Sequence, residues 1–126
     1  MLRRACIVVL LAVLTTFGAP NWVALGQAHV DGALDHDVIK VGDGRGLFRA
    51  IRLQVQYGAV EFHRVQVHYG DGASAPVAVA SLIRAGRQTR VIWLHSPRTI
   101  RSVEFWYARG NRRNPNRPQV TLLGLQ

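Results

Sequence analysis

The chain has 126 residues and carries 16 Lys+Arg against 7 Asp+Glu, a formal net charge of +9. Its 48% hydrophobic content excludes a disordered polyelectrolyte. A single cysteine, Cys6, excludes an internal disulfide framework and a cysteine-based zinc site. The 12 Gly and 5 Pro follow no three-residue period, which excludes collagen.

Met1-Leu2-Arg3-Arg4 is a short positive start, and Ala5 to Leu14 is an unbroken apolar run. Mostly small residues follow up to Ala19. This layout predicts a secretory signal peptide over residues 1–20, helical in its apolar part, with a domain over 21–126. Cleavage is expected near 18 to 20. The alternative is an uncleaved anchor, because no Asp, Glu, Lys or Arg occurs from Ala5 to Val30. Either way the remainder is exported, to the periplasm or beyond the cell. Membrane contact is expected only through an uncleaved leader.

The rest reads as strands separated by turn signals. Trp22 to Leu25 and Val38 to Val41 are short candidates. In Arg49 to Tyr57, Ile51, Leu53, Val55 and Tyr57 alternate with Arg52, Gln54 and Gln56, the pattern of a half-buried antiparallel strand. Gly58-Ala59 predicts a two-residue hairpin turn with positive φ at Gly58. The hairpin would set Gln56 against Glu61, Gln54 against His63, and Arg52 near Gln66. In Val60 to Tyr69 the apolar parity changes from even to odd, which predicts a β-bulge at His63-Arg64. Gly70-Asp71-Gly72 is a turn. Pro76 to Ile83 predicts a strand, with a helix capped at Ser74 as the alternative. Thr89 to Leu94 is a strand ended by Ser96-Pro97. Ile100 to Ala108 places Val103, Phe105 and Tyr107 on one face. Gln119 to Leu125 is the last strand. About eight short strands and no long helix after the leader predict an all-β antiparallel β-sandwich, with a barrel as the second choice.

Trp22-x-x-Leu25-Gly26, Asp35-His36-Asp37-x-Ile39-x-Val41-Gly42 and Phe48-Arg49-Ala50-Ile51 resemble a family of small exported bacterial proteins of unknown function. Val60-Glu61-Phe62, Gly70-Asp71-Gly72, Thr89 to Ile92 and Val103-Glu104-Phe105-Trp106-Tyr107 extend the resemblance over nearly the whole mature chain. It implies a jelly-roll sandwich like galactose-binding modules. It implies no activity.

Four candidate features remain. Arg109, Arg112, Arg113 and Arg117 fall in ten residues without an acid, in a Gly/Asn/Pro-rich loop. Arginine forks suit phosphates and carboxylates, and the bland reading is a solubilising turn. Asp35 and Asp37 would share a side of an extended segment and offer two oxygens to Ca²⁺, where about six to eight are needed. They otherwise read as a polar turn, and no metal or cofactor is assigned. Trp106 shares an outward face with Glu104 and would serve as a sugar platform or an interface anchor; the bland reading is that it packs against a neighbouring loop or an Arg stem. Trp22 and Trp93 read as core. The polar hairpin face reads as solvated sheet.

Catalysis has little support. None of the serines sits in a nucleophile-elbow context, and no carboxylate pair stands out. The reading is an exported, non-catalytic module. Its expected partner is an anionic envelope polymer, a glycan or another envelope protein, without specific nucleic-acid recognition.

Overall fold

Apolar–polar alternation builds eight antiparallel strands in a computed structural model that describes residues 21–32, 34–111 and 113–126. The expected signal peptide and Arg112 lie outside the described residues. The strands are β1 (Trp22–His29), β2 (Asp35–Lys40), β3 (Leu47–Gln56), β4 (Val60–Tyr69), β5 (Ser74–Pro76), β6 (Leu82–Ile83), β7 (Ile92–Arg109) and β8 (Gln119–Leu125).

They form two layers. The first runs β1-β8-β3 and closes on the front of β7. In the second, the back of β7 lies between β2 and β4, and β5 and β6 both pair with β4. β7 is 18 residues long and serves both layers, so it is the corner of the sandwich. The layers enclose one apolar core. Ile51, Leu53, Val55 and Leu122 enter it from the first, and Val67, Val103, Phe105 and Tyr107 from the second, all fully buried. Each buried Val, Leu, Ile or Phe contributes about 1.5–3 kcal/mol, set against the entropy of ordering the chain. At Gly124 a Cβ would stand 2.7 Å from the Phe48 ring, so this position of β8 holds glycine for close packing.

The sandwich, the inward set Ile51, Leu53 and Val55, and the strand Gln119–Leu125 agree with the sequence reading. So does the bulge. Phe62 pairs with Tyr107 and Arg64 with Trp106, leaving His63 unmatched. The extra residue returns Val65 and Val67 to the core. In the turn after β4, Gly72 has φ 91° and Asp71 Oδ1 accepts the Ala73 N–H at 2.9 Å.

Several expectations are corrected. β3 and β4 are not a hairpin. One edge of β3 is taken by β8, the other by β7 and the 86–89 segment, so β4 joins the opposite layer. Gln56, Gln54 and Arg52 therefore do not face Glu61, His63 and Gln66. Positive φ falls on Tyr57 (70°), not Gly58. Gly58 is needed for close approach, since a Cβ there would stand 3.0 Å from Pro118 and 3.2 Å from Asn114. Tyr57 leaves the strand and is 60% exposed.

Thr89 to Leu94 and Ile100 to Ala108 are not two strands around a break. They contribute to β7, which starts at Ile92, because the Thr89 hydroxyl takes the Leu53 N–H at 3.1 Å and interrupts the ladder. Residues 94–97 stand opposite Arg49 alone. Pro97 sits in that excursion, where no ladder N–H is required. Asp35 to Asp37 lie on a strand rather than in a turn. Residues 76–83 form neither a helix nor a continuous strand, only the end of β5 and β6. Trp93 is 64% exposed and Trp22 half-buried. Ile92 and Leu94 take the inward positions and leave Trp93 outside.

Candidate functional site

The Arg-rich loop joins the end of β7 to β8 and is fastened by its own asparagines. Asn111 Oδ1 accepts the Arg113 N–H at 3.0 Å, and Asn114 Oδ1 accepts the Asn116 N–H at 2.9 Å. These are Asx turns, in which a side-chain oxygen replaces a backbone acceptor. The Asn114 amide donates to the Tyr57 carbonyl at 3.0 Å. The Val30 N–H donates to the Pro118 carbonyl at 2.9 Å. One end of the sandwich is thereby closed by three chain segments, around residues 30, 57 and 114–118.

The arginines have different fates there. Arg109 is half-buried, and its guanidinium faces the carbonyls of Val30 (3.5 Å) and Asn114 (3.3 Å), which pins the loop. Arg113 is exposed. Arg117 is ion-paired with Asp31 and remains on the surface.

These segments leave a shallow, open groove of about 530 Å³ lined by His29, Tyr57, Pro115, Asn116 and Arg117. The groove combines an exposed aromatic ring, an amide, an imidazole and a guanidinium. A sugar ring needs such a set: an apolar face for its C–H surface, and donors and acceptors for its hydroxyls. A smaller hollow of about 220 Å³ is lined by Tyr69, Gly70, Asp71, Pro97, Arg98 and Thr99. There the guanidinium sits over the Tyr69 ring and binds Asp71 Oδ2 at 2.8 Å.

Trp106 lies elsewhere, on the outer side of the second layer with Glu104, as its parity requires. It is flanked on both sides. By register His36, Trp106 and Arg64 form one row across β2, β7 and β4. The His36 ring stacks on the indole at 4.7 Å and 22°, and the Arg64 guanidinium lies 4.8 Å from its centroid. The indole as a whole is half-buried. Glu104 is clasped by His36 Nε2 at 2.5 Å and His68 Nε2 at 2.8 Å, one at each carboxylate oxygen. Those hydrogen bonds, His68 first, hold its carboxyl below the ordinary value. The histidines reach it from diagonally opposite rows, so they are not placed as a chelate. Arg64 donates to Gln66, and Gln66 to Ser74. Among the described residues no ring contact or hydrogen bond links Trp106 to the Arg loop.

Asp35 and Asp37 make bonds within the chain. Asp35 accepts the backbone N–H groups of Asp31 and His36. Asp37 Oδ2 accepts the Tyr107 hydroxyl at 2.6 Å. Burial, then the Asp37 hydrogen bond, pushes the Tyr107 hydroxyl up from its ordinary value. Among the described residues no three His, Cys, Asp or Glu are arranged to hold a metal ion.

The sequence reading did not single out Tyr57 and His29. Alternation alone places Tyr57 inside. Its signal is the adjacent Gly58, which marks where the strand pattern ends.

A family described as a domain of unknown function (DUF2541) matches residues 5–124. No curated protein matches the chain significantly. Among solved structures, a carbohydrate-binding module of family 29 is similar at 12% identity, covering 85% of this chain and 89% of its own, with a TM-score of 0.38. A module of that family complexed with cellulohexaose gives 12% identity, 86% and 90% coverage and a TM-score of 0.34. A structure from infectious bursal disease virus, Gx strain, gives 13% identity, 86% of this chain, 32% of that chain and a TM-score of 0.38.

Proposed function

The chain belongs to this DUF2541 family, and we propose that it is an exported, non-catalytic β-sandwich module that binds a glycan in the groove beside Tyr57. The observation that carries the reading is Tyr57, an aromatic ring 60% exposed and held at φ 70° at the groove wall. Left-handed backbone at a non-glycine residue costs about 1–3 kcal/mol and clusters at ligand sites. Asn116, His29 and Arg117 supply hydroxyl partners around the ring. Among the described residues no carboxylate lines the groove, whereas cleavage of a glycosidic bond ordinarily uses two. Export is supported by Arg3-Arg4 followed by the apolar run to Leu14.

Affinity electrophoresis through gels containing neutral or acidic polysaccharides tests the reading. The leaderless protein is expected to be retarded in at least one gel, and Tyr57→Ala to lose that retardation. Unchanged retardation of Tyr57→Ala, with the fold intact by circular dichroism, would overturn it.

A second reading, an accessory module that pairs with an envelope protein, is favoured by Trp93 and Leu47, which are 64% and 58% exposed on adjacent strands. Tryptophan is enriched at interface centres. This surface is separate from the groove lining, so Trp93→Ala leaves glycan retention unchanged under the first reading and abolishes partner binding under the second.

A further inference from the structure

The groove's guanidinium is already occupied by a carboxylate of the chain itself. Arg117 lines the groove, whereas Asp31, its ion-pair partner, stands outside that lining. Their side chains are 53% and 65% exposed. The backbone holds them together. The Val30 N–H donates to the Pro118 carbonyl, and each of those residues adjoins one member of the pair. The Asp31 N–H is in turn fixed on Asp35 Oδ2 at 3.0 Å.

We propose that the groove is built for an acidic glycan, and that Asp31 is an internal stand-in for the sugar carboxylate, displaced from Arg117 when the ligand enters. The inference rests on the reading of the groove as a glycan site. An exposed ion pair is weak, and arginine exchanges one carboxylate for another with the same forked geometry. A hexuronate seated on Tyr57 would bring its carboxylate to the groove's own guanidinium. A neutral sugar leaves the Asp31 pair intact and gains only the ring and amide contacts. Arg113, exposed on the same loop, and the 14 Lys+Arg against 7 acids over residues 21–126 favour approach of a polyanion. Asp31 then acts as a specificity device. It screens Arg117 from small anions and gives way to a carboxylate that arrives on a sugar.

The test measures retention on polygalacturonate, neutral dextran and polyphosphate, the last supplying charge without sugar. Asp31→Asn is expected to tighten polygalacturonate binding by up to about fivefold, the change that about 1 kcal/mol gives, with little effect on dextran. Arg117→Ala is expected to remove the preference for polygalacturonate over dextran. A thermal melt of Asp31→Asn within a few degrees of wild type keeps the comparison valid. The inference is overturned if Asp31→Asn leaves polygalacturonate binding unchanged, or tightens polyphosphate as much. If Tyr57→Ala also changes nothing, the glycan reading itself has failed. If Tyr57→Ala abolishes binding while Asp31→Asn is silent, only the stand-in role has failed.

Discussion

The side-chain amide of Asn114 grips the main-chain carbonyl of Tyr57 at 3.0 Å, so the loop after β7 holds the residue that ends β3 in a left-handed conformation. Tyr57→Gly should relieve that strain, about 1–3 kcal/mol, at a cost in backbone entropy of about 0.5–1 kcal/mol. The expected net is a gain of about 1 kcal/mol in urea denaturation, together with loss of glycan retention. A variant that becomes more stable while losing binding identifies a site kept strained for function. A loss of stability in Tyr57→Gly would show that the tyrosine is there for packing.

Glu104 gives the protein an acid limb. Its carboxyl is held below the ordinary 4.5 by His68 and then His36. Folding therefore favours the ionised form. That contribution is present above about pH 4.5 and lost as the pH falls through the depressed value. Asp71, lowered from 3.8 chiefly by the Ala73 N–H and also by Arg98, acts in the same direction. Glu104→Gln is expected to be less stable at pH 7 and to lose less between pH 5 and about 3. Thermal melts across that range check it, and parallel pH profiles for the two proteins would contradict it.

Tyr107 gives an alkaline limb of opposite sign. Its hydroxyl is raised above the ordinary 10.0 by burial and by the bond to Asp37. Its contribution is complete below pH 10 and falls as the pH climbs further, because only the unfolded chain then ionises. Tyr107→Phe is expected to cost about 1.5–3 kcal/mol at neutral pH, the range for a hydrogen bond to a charged group. It should also show a shallower decline above pH 10. Urea titrations at pH 7 and 11 measure both effects.

Much of the fold was legible because parity reports inside and outside along a strand. Ile51 to Val55 and Val103 to Tyr107 needed nothing else, and the parity change located the bulge to the pair His63-Arg64, of which His63 is the unmatched residue. Parity does not report which strand lies alongside. Gly58-Ala59 reads as a hairpin because the adjoining strands are both amphipathic, yet β3 finds β8 and β7 by long-range closure. Trp93 was readable in principle, since Ile92 and Leu94 alternate around it. Its bulk suggested core, and parity overrides bulk on a strand. The candidate site was half legible. Gly, Asn and Pro marked 109–118 as a loop, and Arg117 reaches the groove. The pinning of Arg109 on two carbonyls, and the flanking of Trp106 by His36 and Arg64, depend on neighbours brought from elsewhere in the chain.

Glycan is proposed to meet the protein at the groove beside Tyr57. Amide chemical shifts of the leaderless, ¹⁵N-labelled protein, followed while oligogalacturonate is added, test it most directly. Saturable shifts are expected at residues 29–31, 56–58, 113, 114, 116 and 117, absent in Tyr57→Ala. Shifts confined to 64–68 and 102–106, on the outer face that carries Trp106, would contradict it.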